Sequence, residues 1–247
     1  MVYMGSKAKY AGHIVPILQK AIDDNGVTTY IECFVGGANI IDKIKCENRI
    51  GYDRSNTLIA LLTQASEDFN KVLRDGSREL WDKGKGYVKD GKMPEDMSLA
   101  EIGAMEFFAS FSNGGFPRGY AKNTSTRNYF NEAYQNAKAQ APNLRGIKFG
   151  CQNYWELDES TKGAVIYLDP PYQGTKHYGY ANQEKMDYDR FWDWVREISK
   201  NNIVFVSEQQ APEDFEIIWE QEAKRTCGKD NNYQAVEKLF KYKGDNK

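Results

Sequence analysis

Val165-Ile166-Tyr167-Leu168 is a short apolar, β-branched run that ends abruptly at Asp169-Pro170-Pro171-Tyr172. A run of that kind forms a buried strand. Two consecutive prolines remove two backbone donors, so the strand cannot continue beyond Asp169. The chain therefore leaves its sheet at the carboxyl edge carrying a carboxylate, a stiff turn and an aromatic ring. Ligands of open α/β sheets collect at that edge. Asp169 and the carbonyl of Pro170 accept hydrogen bonds, and Tyr172 offers a flat face. Together they suit a planar ring bearing an exocyclic amine. Asp and Pro also build ordinary turns, so the rest of the chain has to decide between the two uses.

The remaining pattern alternates. Lys7 to Ile22 has helical spacing and stops at Asn25-Gly26, with Pro16 inside it predicting a kink or a late start. Thr28 to Phe34 reads as a strand, followed by a glycine turn and a short helix from Ile40 to Ile44. Arg49 to Tyr52 reads as a second strand ending at Asp53, and Leu58 to Ala65 as a helix. Strand, helix, strand, helix implies parallel pairing and an α/β sheet. From Glu67 to Asp96 the chain is densely charged and broken by glycines. Helical spacing resumes over Leu99 to Phe111 and again from Asn128 to Gln140. Strands return at Ile147 to Cys151, Val165 to Leu168 and Ile203 to Ser207. This organisation predicts a discontinuous α/β domain over 1–66 and 147–247, interrupted by a mostly helical insertion over 67–146.

At 247 residues the chain can bury a full core. No apolar run approaches the roughly 18 residues of a membrane span, and Met1 to Lys9 lacks the apolar block of a secretory signal. Cys33, Cys46, Cys151 and Cys227 form no CxxC pair, and the two histidines are His13 and His177. No structural metal site is expected, and reduced thiols in a cytosol are. The net charge of −2 is not the global mark of a nucleic-acid binder. Its distribution is more telling: between Phe111 and Gly150, Arg118, Lys122, Arg127, Lys138, Arg145 and Lys148 face Glu132 alone, interleaved with aromatic residues. Such a stretch either meets phosphates and stacks on bases or forms a solvated helix surface over a small core.

A second candidate site lies near the start. Phe34-Val35-Gly36-Gly37 sits between a strand and a helix, where glycines let backbone approach a ligand closely. Asp53 then ends the next strand, where an acidic side chain can accept both ribose hydroxyls of a bound nucleoside. Ser55 and Asn56 follow it, so Asp53 also suits a turn or a helix cap.

Tyr3-Met4-Gly5-Ser6-Lys7, Glu32-Cys33-Phe34-Val35-Gly36-Gly37, Asp53 and Asp169-Pro170-Pro171-Tyr172, in that order, resemble the motifs of Dam-type (D12 class) DNA adenine-N6 methyltransferases. The likeness extends through Phe191-Trp192-Asp193-Trp194, Val204-Phe205-Val206-Ser207-Glu208 and Glu237-Lys238-Leu239-Phe240. It implies a Rossmann-like methyltransferase sheet with a target-recognition insertion. It also implies S-adenosylmethionine as methyl donor, double-stranded DNA as partner, and no obligatory protein partner. Tyr3, Lys7, Glu32, Phe34, Gly36, Gly37, Asp53, Asn153 and Asp169 fall at the family's cofactor positions, with Lys7 near the methionine carboxylate and Asn153 near the adenine. Asp169, Pro170 and Tyr172 fall at its catalytic motif, and Arg118, Lys122 and Arg127 become the candidates for DNA contact. The loop Ser112-Asn113-Gly114-Gly115-Phe116 departs from the family's usual Ser-Phe-Gly-Gly-Lys, which bears on sequence specificity and not on chemistry. The resemblance points to the cytoplasm of a bacterium, or to a phage or mobile element. Two alternatives stand beside it: an RNA methyltransferase of the same fold, and a non-catalytic DNA-binding homologue. An intact Asp169 argues against the latter, and against a protein amide as acceptor, where Asn is usual.

Overall fold

A computed structural model of the chain describes residues 1–158, 160–174, 186–223 and 235–244; His177 and Cys227 lie outside them. Seven strands form one sheet: β1 Thr29–Glu32, β2 Asn48–Asp53, β3 Ile147–Cys151, β4 Val165–Leu168, β5 Ile203–Glu208, β6 Phe215–Ala223 and β7 Ala235–Tyr242. Their order across the sheet is β3-β2-β1-β4-β5-β7-β6. The first five run parallel, and β7 enters antiparallel between β5 and β6. The order reverses between β1 and β4, which places the crevice of a doubly wound sheet at the carboxyl ends of those two strands.

The central strands are covered on both faces. Along β4, Val165 and Tyr167 join one apolar cluster while Ile166 and Leu168 join the other. This is the period-two alternation that a pleated strand imposes. The first face carries α1 (Ala11–Asp24), α2 (Asn56–Asp68), α4 (Leu99–Phe108) and α5 (Tyr129–Leu144). The second face carries α6 (Tyr188–Ser199), whose Phe191, Trp192, Val195 and Ile198 are buried. Trp194 packs partly buried against the same cluster. The helices of 67–146 share the first cluster: Trp81, Ile102, Met105, Phe108, Phe116 and Phe130 are continuous with Ile14, Leu18 and Leu58.

Several boundaries differ from the sequence expectation, each for a local reason. Lys7–Lys9 is a separate 3-10 turn capped by Ser6, and α1 starts at Ala11, so Pro16 falls in its second turn. The segment after the glycine turn is only a 3-10 turn, Ile41–Lys43. Helix α4 ends at Phe108, where Ser110 pairs with Tyr120 and bends the chain into a narrow loop. The charged stretch contains a full helix, α3 (Arg78–Asp90), capped by Ser77 and closed by Gly91 in the left-handed region. Its Gly84 is a contact and not a breaker: a Cβ there would lie 3.0 Å from Phe116 Cζ and 3.5 Å from Ile102 Cγ2.

That contact yields a test of sign. Helix propensity alone makes Gly84→Leu stabilising by about 1 kcal/mol. The close approach of Phe116 makes it destabilising, by about 1–3 kcal/mol as overpacking, and urea unfolding of the two proteins reads which effect wins.

Candidate active site

The carboxyl ends of β1, β2, β4 and β5 deliver the candidate residues to one edge. At the end of β1, Glu32 is buried beneath the turn and accepts a 2.7 Å hydrogen bond from the Tyr30 hydroxyl. Burial pushes its carboxyl up to about 8. It also accepts from the Ile41 backbone amide, in the 3-10 turn that follows the glycines. Phe34 is half-buried, stacked on Tyr154 at 5.5 Å and edge-on to Phe191 at 6.2 Å.

The glycine turn is shaped by its own chain. Gly36 has φ +46°, and a Cβ on it would lie 3.1 Å from the Tyr3 ring. On Gly37 a Cβ would fall 2.7 Å from Tyr3 Cβ and 3.0 Å from the Met1 carbonyl. The amino-terminal segment thus packs directly on the turn, and Tyr3 continues to Phe107 of α4 with ring centroids 5.5 Å apart. Asp53 is a turn residue tied to the glycines, and the helix that follows is capped by Ser55. Its Oδ1 accepts from the Ser55 amide at 3.1 Å, and its Oδ2 accepts from the Gly36 amide at 3.1 Å. Burial raises its pKa against these bonds and one from the Arg54 amide. Asn153, half-buried, caps the 3-10 turn Tyr154–Glu156, and its own amide donates to Glu156 Oε2 at 2.6 Å. The neighbouring Gln152 amide donates to the Asp53 carbonyl at 3.1 Å, which brings Asn153 beside the β2 edge.

At the end of β4 an enclosed ion pair dominates. Lys7 Nζ lies 2.7 Å from Asp169 Oδ1 and 3.7 Å from Glu237 Oε1, and the three side chains are 8%, 18% and 8% exposed. Burial raises Asp169 to about 6 although Lys7 pulls it down. Burial lowers Lys7, but Asp169 and Glu237 outweigh it and hold the ammonium above its ordinary range. Lys7 also sits 4.6 Å over the Tyr172 ring, whose hydroxyl donates to Glu237. Pro170 is buried; the exposed Pro171 presents its carbonyl to the Tyr188 hydroxyl. The turn is pinned from β5, where buried Glu208 accepts from the Gln173 amide at 2.6 Å and from the Gln209 amide. Sequence reading assigned no role to Glu208 or Glu237. Both stand in the family-like segments, but only sheet pairing reveals what they touch.

The three basic candidates are placed differently. Arg118 is half-buried at the end of the loop closed by Ser110 and Tyr120, with Nη2 3.2 Å from Met4 Sδ in the segment that also carries Tyr3 and Lys7. Lys122 is exposed just beyond that loop. Arg127 is exposed and grips Glu132 through both branches, at 2.9 and 2.6 Å, with its guanidinium 4.7 Å over Tyr129. Among the described residues no histidine, cysteine or carboxylate cluster could hold a metal ion, and no helix is long and apolar enough to cross a membrane.

The Glu32 environment makes stability pH-dependent in a defined direction. Its folded pKa, about 8, lies above its ordinary 4.5, so its contribution is full below the lower value and lost as pH rises through the higher. Glu32→Gln keeps an acceptor for Tyr30 and removes the ionisation. Urea unfolding between about pH 5 and about pH 8 should show the parent losing more stability than the variant; equal losses would mean that Glu32 ionises normally.

No curated protein matches the chain. Among solved structures, the rRNA methyltransferase aviRa from Streptomyces viridochromogenes at 1.5 Å aligns with a TM-score of 0.45 and 9% identity, over 99% of this chain and 88% of that one. A second structure of the same enzyme, at 2.4 Å, gives 0.43 and 8%, over 96% and 85%. The family model for D12 class N6 adenine-specific DNA methyltransferase matches residues 3–224, a span holding the glycine turn, Asp53 and the Asp169–Tyr172 turn. The chain belongs to the D12 class N6 adenine-specific DNA methyltransferase family.

Proposed function

We propose that the chain moves a methyl group from S-adenosylmethionine to N6 of an adenine flipped out of double-stranded DNA, with Asp169, Pro170 and Tyr172 meeting the base. The observation that carries this reading is the placement of Asp169. It follows directly on β4 beside the topological switch point, largely enclosed, with the Lys7 ammonium at 2.7 Å and that same ammonium 4.6 Å over the Tyr172 ring.

The residues at the neighbouring strand ends fit the methyl donor. Asp53 accepts from the Gly36, Ser55 and Arg54 amides, and its remaining lone-pair capacity would receive the ribose hydroxyls. Phe34 offers a half-buried aromatic face, Asn153 an amide beside it, and Lys7 a cation for a carboxylate. Gly36 and Gly37 hold the turn, Tyr3 packs on it, and Glu32 ties the end of β1 to the Ile41 amide beyond it. When bound, S-adenosylmethionine supplies an electrophilic sulfonium methyl.

Adenine's exocyclic nitrogen is a weak nucleophile because its lone pair is delocalised into the ring. The Asp169 carboxylate and the Pro170 carbonyl would accept its two hydrogens, drawing the nitrogen toward tetrahedral geometry and localising the lone pair. Positioning and fixed dipoles supply the acceleration, and the methylated ammonium is acidic enough to release its proton without a strong base. A base within a duplex cannot reach the pocket and must leave the stack. Tyr172 would stack on it, recovering about 1–3 kcal/mol. The helical segment 67–146 is assigned as the target-recognition insertion, with Arg118, Lys122 and Arg127 on the DNA. Arg127 would have to exchange Glu132 for a phosphate or base to serve there.

The test supplies methyl-labelled S-adenosylmethionine and unmethylated duplex DNA, then digests to nucleosides. Label is expected in N6-methyladenine and absent with Asp169→Ala, which should still bind the cofactor. Label in N4-methylcytosine overturns the base assignment, label on RNA alone overturns the DNA assignment, and full activity of Asp169→Ala removes that residue from the mechanism. The rate should also fall as pH drops through about 6, because a protonated Asp169 loses its negative charge and is a weaker acceptor for the amine hydrogen. Tyr172→Ala should lose the 2-aminopurine signal of a stably flipped base.

A further inference from the structure

Two carboxylates share one buried ammonium at the end of β4, and the family match stops before the second of them: it covers 3–224, and Glu237 lies on β7. We propose that Glu237 is a positioning residue of the transfer site, taking over the Lys7 ammonium when Asp169 turns to the target amine and fixing the Tyr172 ring through its hydroxyl. The inference rests on the functional reading above and adds a residue to it.

The geometry supplies the partner that sharing Asp169 calls for. In the ligand-free arrangement Asp169 Oδ1 is engaged by Lys7 at 2.7 Å. An amine hydrogen that takes over Oδ1 displaces the ammonium, whose remaining acceptors are the methionine carboxylate assigned to it above and Glu237; Glu237 is the one the chain itself supplies, and a buried ammonium left short of acceptors is costly. Glu237 Oε1 already stands 3.7 Å from Lys7 Nζ, so a displacement of about 1 Å turns a loose pairing into a direct hydrogen bond. The side chain sits on a rigid element: β7 is hydrogen-bonded on both sides, to β5 through Lys238 opposite Glu208 and to β6 through Glu237 opposite Gln221. Glu208 pins the far end of the same turn, so the residues from Asp169 to Gln173 are held between two carboxylates on adjacent strands.

Glu237 also orders the ring that would stack on the base. Tyr172 gives its hydroxyl to Glu237 and its face to Lys7 at 4.6 Å, which ties ring, ammonium and both carboxylates into one closed cluster. Among the described residues the other ionisable groups facing it are Glu32 from β1, Tyr167 from β4, Glu208 from β5, and Tyr3 and Tyr10 ahead of α1. Removing the Glu237 charge leaves these in place, so its effect on Asp169 can be read separately.

The experiment uses the full chain carrying Glu237→Gln. In the ligand-free protein, a carboxyl 13C titration of Asp169, assigned by its loss in Asp169→Asn, should move to lower pH because a neighbouring negative charge is gone and Lys7 is left to Asp169 alone. In turnover on duplex DNA, kcat should fall about 10²-fold, as misplacement near the reacting centre costs, and the acid limb of its pH profile should move the same way as the titration. Glu237→Asp keeps the charge but withdraws it by one methylene, and should recover part of the rate with the titration near its parent value. An unmoved Asp169 titration with kcat within twofold of the parent overturns the proposal. Should Glu237→Gln not fold, Glu237→Asp decides by itself: parental kcat overturns the proposal and a reduced one sustains it. Failure of the parent chain to methylate DNA would defeat the functional reading instead, while the ligand-free titration still decides whether Glu237 is coupled to Asp169.

Discussion

The adjacency of β1 and β4 is the constraint on which the rest of the molecule depends. In sequence the two strands are separated by the whole helical segment, yet Ile31 faces Ile166 and Glu32 faces Tyr167 in parallel register. Around that pair α1, which precedes β1, and α2, which lies between β2 and β3, pack on one face, and α6, between β4 and β5, packs on the other. Every candidate group then emerges at the same edge for the same reason: β1 delivers the glycine turn, β2 Asp53, β4 Asp169 and β5 Glu208. Reversal of strand order between β1 and β4 leaves a crevice there that no crossover can cover.

The amino-terminal segment closes that crevice from the side. Tyr3 lies on Gly36 and Gly37, Asn39 holds Ser6 Oγ at 2.8 Å, and Met4 meets Arg118 from the helical segment. These contacts fix where Lys7 enters, and the two carboxylates of β4 and β7 fix where its ammonium rests. Neither set suffices alone. Burying an ammonium is unfavourable without a partner, and a carboxylate as enclosed as Asp169 would take up a proton more readily without Lys7 beside it. The pair keeps a charged acceptor available near neutral pH inside an otherwise apolar edge.

Much of this was legible in the sequence, and the exceptions are instructive. The expected bounds of β3 and β4 coincide with the observed ones, because glycine or proline punctuates short apolar runs there. The ribbon of β6 and β7 left no readable period: a register shift between Ile217 and Trp219 breaks the alternation of β6, and acidic residues line an edge strand with little to bury. Helix α3 escaped notice because Gly84, read as a breaker, is where Phe116 crosses closely. Within the site, Asp169 and Asp53 stand out through local context, and Lys7 only through the resemblance of its segment to the family's first motif. Glu208 and Glu237 do not, because their meaning comes from β7 inserting beside β5 and from no feature of their own neighbourhood in sequence.

Electrostatics separates the site from the surface that would present DNA to it. A formal charge of −2 suggests indifference to polyanions, but the sum conceals two opposed regions. The crevice holds Asp53, Asp169, Glu208 and Glu237 against Lys7, with Glu32 protonated behind them near neutral pH, and most of these groups are shut away from solvent. Their field is local, strong in a low-dielectric edge and weak outside it. It favours a cationic donor and the positive hydrogens of an amine, and it repels a phosphodiester. The stretch from Phe111 to Gly150 carries the opposite excess, with Lys122 and Arg127 exposed. On the proposed function, a duplex drawn to that surface by its backbone would meet carboxylates unfavourable to phosphate at the crevice, so the placement of charge would order approach before chemistry.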